Sequence, residues 1–311
     1  MKKYIKNVLG ISSIFLVLFL LLLLLYNNQE DIERIKNVRQ SFIILIILLT
    51  LIEFYINGYM IKILLEPFNI RVKLKEFLSL SLITTFGNYL AFFRAGTSAK
   101  AVYLKKYHNL PFSSFIAASG AGYVVTLLVY GLLGIIFSLL MLFSHDLFNK
   151  ILFYLFLIIF IGSILSILYF PKIPSANNFI LRQIYNVLDG WHKLRKNHHF
   201  ILHFSIISFL LYIISTAKLY LLYLSLSYEI SISAALFLSL LANISILFSI
   251  TPAGLGIREA MLAFTSQLLD IGIKSGIYVS ALERAITIIL ISILTPVFTY
   301  MLYKKNIKQT S

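Results

Sequence analysis

Thr251-Pro252-Ala253-Gly254-Leu255-Gly256-Ile257-Arg258-Glu259 closes an apolar segment, residues 236–251, and opens a polar helix start. Pro252 lacks an amide hydrogen and its ring clashes with a continuing helix, so the segment ends there. Gly254 and Gly256 supply the left-handed or tight backbone that a reversal needs. A new helix then begins near Ile257 and turns its free amides and positive dipole end toward the break. A second interruption reads Phe92-Phe93-Arg94-Ala95-Gly96-Thr97-Ser98. Unpaired backbone at membrane depth is tolerated only when buried in protein or lining a cavity. Paired interruptions in corresponding halves of a membrane protein point to a transporter's binding site.

The surrounding composition agrees with a lipid environment. Of the 311 residues, 59% are hydrophobic and 13% charged, with a mean hydropathy of +0.90. Soluble domains hold about 45–50% apolar and about 25% charged residues. The longest polar stretch, Pro171 to His199, is too short to build a core of its own. Cysteine is absent, which removes disulfides and thiolate metal sites. The net charge of +15 sits mostly in short loops beside apolar spans, as topology and anionic headgroups explain, so nucleic acid is not an expected partner.

Eight apolar segments can be read, at about 8–26, 41–65, 77–93, 113–143, 150–170, 200–224, 236–251 and 276–303, with a further short helix at 257–269. Their unbroken apolarity gives helices rather than barrel strands. Segment 8–26 follows Met1-Lys2-Lys3 and precedes Tyr26-Asn27-Asn28-Gln29, with no small-residue cleavage site, so it reads as an uncleaved first helix. Loop charge sets the topology. If 77–93 and 236–251 enter and leave on one side, the basic amino end, loops 66–76, 94–112 and 171–199, and the tail all fall inside. The expected fold is therefore all-α and polytopic, with about six full transmembrane helices, two re-entrant segments and both termini cytoplasmic. Phe77-Leu78-Ser79-Leu80 recurs as Phe237-Leu238-Ser239-Leu240, and at that spacing Gly96 falls on Gly256. The layout is that of an inverted-topology repeat with halves at about 70–145 and 229–303 within one domain, 1–311.

Arg258 in the first turn of a helix, beside free amides, is suited to phosphate. The alternative is that Arg258 pairs Glu283 and pins the hairpin, and both roles can hold together. Neighbouring helix residues diverge by about 100°, so Arg258 and Glu259 are expected to cross-pair with Glu283 and Arg284 rather than with each other. Ionisable groups at this depth are costly and point to function, although an interfacial position for Glu283 stays open. In the first break, Arg94 and Lys100 add positive charge and Thr97 or Ser98 is a candidate helix cap. Asn88 and Asn243 can touch a headgroup, with an interhelical hydrogen bond the plainer reading. Lys62 and Lys218 are expected to snorkel, and Glu53 lies mid-span, awaiting a partner or a proton-relay role. Trp191 and His192 place the 171–199 loop at headgroup level. No P-loop, no G-x-S-x-G elbow and no nucleophile–base pair can be read in the sequence. His198, His199 and His203 have no nearby carboxylate, so neither a metal nor a cofactor is expected.

Pro252, Gly254, Gly256, Arg258 and Glu259 fit the pattern Pro-x-Gly-x-Gly-x-Arg-Glu, and the later Glu283-Arg284 completes it. In this the chain resembles the flippase-like family that contains the transmembrane region of lysylphosphatidylglycerol synthases and its stand-alone relatives. The first half departs from the family pattern. Asn88, Arg94 and Gly96 are kept, but Phe92 stands for a proline, Thr97 for a glutamate and Lys100 for an arginine. Gly122 and Tyr123 replace a frequent Glu-Arg pair. The chain ends at Ser311 without the synthases' aminoacyl-transfer domain, so lysine transfer to lipid is not expected.

The resemblance implies a cell-membrane protein, not an enzyme, that moves an anionic or modified lipid between leaflets. A phospholipid or a polyprenyl-phosphate-linked glycan fits that description. Arg258, Glu259, Glu283, Arg284, Asn88, Arg94 and Lys100 are the expected substrate-binding residues. Gly96, Pro252, Gly254 and Gly256 form the hairpin turns. The alternative is a non-transporting accessory or scaffold for envelope lipid or glycan synthesis, with a membrane enzyme as its partner.

Overall fold

The computed structural model describes residues 38–90, 94–144, 150–169, 178–247 and 251–310. These residues form α1 (Gln40–Leu65), α2 (Leu74–Leu90), α3 (Ala95–His108), α4 (Phe112–Ser144) and α5 (Lys150–Leu168). They continue with α6 (Phe179–Arg195), α7 (His198–Ser225), α8 (Ile232–Leu247), α9 (Ile257–Leu268) and α10 (Ile273–Thr310). No strand occurs among the described residues. The expected first span, 8–26, and its reading as an uncleaved helix lie outside them, as do Phe92 and Phe93.

Five described helices are long and apolar enough to cross a membrane: those within Gln40–Phe68, Phe112–Leu140, Lys150–Leu168, His198–Ser225 and Ile273–Leu302. By contrast α2 has 17 residues and α8 has 16. At about 1.5 Å per residue neither fills the roughly 30 Å hydrocarbon core. These are the two segments expected to be re-entrant. The protein is an all-α, polytopic membrane protein.

At the spacing that carries Phe77 onto Phe237, each helix from α1 to α4 has a counterpart of similar bounds in α7 to α10. Both quartets run as a long helix, a short apolar helix, a short polar helix and a long helix. The likeness of bounds also takes in α1 and α7, which precede residues 70 and 229. The backbone follows it too, since Arg94 (φ 54°) and Gly254 (φ 70°) occupy equivalent positions in left-handed conformations.

The helices group into two compact units. One takes residues up to Tyr55, then Ser81–Ala99 and the chain from Ile213 onward. Its core is a cluster that includes Ile46, Leu219, Leu222, Tyr223, Leu238, Ala242, Leu262 and Val279, contributed by α1, α7, α8, α9 and α10. Tyr223 satisfies its buried hydroxyl at 2.6 Å from Ser266 Oγ. A smaller cluster joins Phe54, Leu82 and Ile291.

The other unit holds Ile56–Leu80 and Lys100–Tyr212. Here α6 packs against protein along one face. Val187, Trp191 and Leu194 fall at i, i+4 and i+7 and lie with Ala117, Ala118 and Ala121 of α4 in one cluster, which buries Trp191. An amphipathic stripe that could have faced lipid faces protein instead. At the ends of α2 and α3 the buried carboxylate of Glu76 accepts from Tyr103 Oη at 3.0 Å and lies 2.5 Å from His108 Nε2.

Gly96 also differs from its expected place at a turn. It sits in the first turn of α3, and the left-handed residue is Arg94. A Cβ on Gly96 would fall 1.9 Å from the Thr84 carbonyl oxygen and 2.9 Å from the Asn88 nitrogen, so α3 folds back onto the α2 backbone with no room for a side chain. Overpacking costs about 1–3 kcal/mol, and Gly96→Ala is expected at or above the upper end because the obstacle is main chain. A Cβ on Gly162 meets nothing within 4 Å, so Gly162→Ala should be neutral or stabilising by up to about 1 kcal/mol. Thermal unfolding midpoints of the detergent-solubilised variants check both.

Candidate functional site: buried ion pairs at the second hairpin

The second break is built as its sequence dictates. Pro252–Gly254 forms one 3₁₀ turn, with Ala253 (φ 48°) and Gly254 (φ 70°) both left-handed. Thr251 Oγ1 donates to the Leu255 carbonyl at 2.8 Å and ties the turn. Gly256 (φ 83°) then caps α9, where its conformation would strain any side chain. Glu259, in the third position of α9, accepts from the Gly256 N–H at 2.8 Å and satisfies one of the free amides.

Arg258 and Glu259 point apart, and each finds the opposite charge on α10. Arg258 forks onto Glu283, with Nε 3.1 Å from Oε2 and Nη2 3.0 and 2.8 Å from the two carboxylate oxygens. Its remaining nitrogen, Nη1, donates to the Ala242 carbonyl of α8 at 3.3 Å. Glu259 Oε1 accepts from Arg284 Nε and from Ser280 Oγ, the latter at 3.3 Å. Arg284 Nη2 reaches the Ala253 carbonyl in the turn at 3.2 Å. Two adjacent residues on α9 are thus cross-braced to two adjacent residues on α10.

Lys218 was expected to snorkel from a span end. Instead it is 5% exposed and bridges two carboxylates, 2.5 Å from Glu53 Oε2 on α1 and 2.8 Å from Glu283 Oε1. Burial without pairing would leave an ammonium uncompensated in a low-dielectric interior, which costs far more than curling toward water. Glu53, Lys218, Glu283 and Arg258 form one alternating chain of charge across α1, α7, α10 and α9. The partner of Glu53 was readable in principle: Glu53 is the one carboxylate of α1 and Lys218 the one lysine or arginine of α7.

The first break meets the same network. Asn88 Oδ1 accepts from the Thr97 N–H at 3.2 Å, so the α3 start is capped from α2 rather than by Thr97 or Ser98 themselves. One residue on, the Tyr89 ring lies 5.9 Å from the Arg284 guanidinium carbon. Arg284 therefore touches the tip of the first hairpin and the turn of the second. Arg94 turns the chain into α3, its carbonyl accepting from Thr97 and Ser98. Lys100 belongs to the other compact unit, 5.6 Å from the Phe115 ring centroid. Asn243 makes an interhelical bond, donating to Ser215 Oγ of α7 at 2.7 Å.

Glu53, Lys218, Tyr89 and Ser280 are the members that sequence reasoning left out of the site. Chemically, the network offers two guanidinium groups and an ammonium, each with a carboxylate partner that a ligand could replace. Lys218→Met should destabilise the protein by about 3–5 kcal/mol, the cost of breaking a buried pair. A surface lysine would cost within about 0.5 kcal/mol. The unfolding midpoint of the variant separates the two values.

No curated protein and no solved structure matched the chain. A family model described as the lysylphosphatidylglycerol synthase TM region matches residues 8–295. The match runs through both breaks and every charged residue of the network. The chain belongs to the lysylphosphatidylglycerol synthase transmembrane-region family.

Proposed function

We propose that the protein moves an anionic or modified lipid, a phospholipid or a polyprenyl-phosphate-linked one, between the leaflets of the cell membrane, with both of its ends on the cytoplasmic side. The observation that carries this reading is the buried cluster of Arg258, Arg284 and Lys218, built where a hydrophobic segment breaks. Intramembrane charge of this kind is expensive to keep and marks substrate pathways. A phosphate can take the place of a carboxylate on an arginine, because both accept the same two-pronged donation. The acyl chains stay in the bilayer while the headgroup exchanges with Glu283 or Glu259. Membrane lipid is the partner in this reading, and no cofactor takes part.

A second reading, a non-transporting accessory that holds a membrane enzyme, draws on one observation. Every cation of the network already has a carboxylate partner, as a purely architectural brace would. Reconstitution into liposomes with a leaflet-specific lipid probe tests the choice. The wild-type chain is expected to accelerate exchange over empty vesicles. Arg258→Gln combined with Glu283→Gln leaves two amides that can hydrogen-bond and removes the charge of the pair. Under transport the double variant should lose about tenfold or more in rate, the worth of one charge-assisted bond of about 1.5–3 kcal/mol. An unchanged rate would favour the brace.

A further inference from the structure

We infer that Glu53 is a proton-binding site linked to the headgroup site, so that one proton enters the network with each anionic headgroup. The inference rests on the lipid-binding reading above and adds to it what balances the charge.

The argument is one of charge compensation. Lys218 stands between Glu53 and Glu283, and Glu283 stands between Lys218 and Arg258. Two carboxylates and two cations sum to zero, and Glu259 with Arg284 adds a second balanced pair. An anion that displaces Glu283 from Arg258 would leave the buried cluster with one surplus negative charge. The interior does not tolerate a bare charge, so the group that can titrate neutralises. Before the anion arrives Glu283 is held by two cations, so it is poorly placed to take up the proton that prepares the site. Glu53 stands at the far end of the chain. Its side chain is 13% exposed, beside 6% for Lys218, 10% for Glu283 and 11% for Arg258, so it is no more enclosed than the rest of the chain.

The charged groups around Glu53 come from three helices: Lys218 of α7, Arg258 of α9 and Glu283 of α10. Among these, Glu53 is the carboxylate whose protonation frees Lys218 to serve Glu283 alone. The Glu283 grip on Arg258 then loosens, and the guanidinium turns to the headgroup. A proton adds to a Glu53 carboxylate oxygen, no other covalent bond changes, and the occupied cluster returns to zero net charge.

The test is calorimetric titration of the full chain in neutral detergent with dioctanoyl phosphatidylglycerol, a phosphodiester that does not itself titrate in this range. Runs in two buffers of unequal ionisation enthalpy, from about pH 5 to about pH 9, count the protons exchanged. One proton taken up per lipid bound is expected over part of that range, with affinity falling about tenfold per pH unit there. Glu53→Gln should bind with no uptake and little pH dependence. Binding without uptake at every pH overturns the inference and leaves lipid recognition standing, as does full uptake by Glu53→Gln. Absence of wild-type binding at every pH removes the lipid reading itself, and this inference with it. Should Glu53→Gln fail to fold, the wild-type proton count decides alone.

Discussion

The Glu283 carboxylate is the constraint on which the rest of the site depends. It is shared by a guanidinium from a helix start and an ammonium from the middle of a long apolar helix. Arg258 would be untenable in the interior without it, Lys218 would keep Glu53 alone, and Glu283 would be untenable without them. One carboxylate thereby fixes α7, α9 and α10, with α1 attached through Glu53. Arg284 extends the same logic to the turn carbonyl of Ala253 and to Tyr89.

The second brace is steric. At Gly96 the α3 backbone lies against the Thr84 carbonyl, and Asn88 closes the gap by capping the helix start. The two hairpins thus solve one problem, a broken helix in a membrane protein, by different means. Both place a left-handed residue at the break, but the first adds close backbone approach and an amide, the second charge.

The long helices could be read because hydrophobic length alone identifies a span. The second break could be read because Pro252, Gly254 and Gly256 act locally on their own backbone. The α9–α10 pairing was legible for a third local reason: adjacent helix residues diverge, so Arg258 and Glu259 had to find separate partners on the neighbouring helix. What stayed hidden is tertiary. Lys218 looked like a lysine free to reach water, and only the packing of α7 beside α1 and α10 shows that it is not. Gly96 looked like turn chemistry until a neighbouring backbone supplied a different reason for the missing side chain. The stripe of Val187, Trp191 and Leu194 was visible as a period, but a period does not say whether lipid or protein covers it.

The balanced network has an electrical consequence. Three carboxylates and three cations carry no net charge, so shifting them together along the membrane normal does no work against the transmembrane potential. An uncompensated elementary charge would feel about 2.3 kcal/mol per 100 mV. Within this network no such charge is left over, and the transmembrane field has nothing there to pull on.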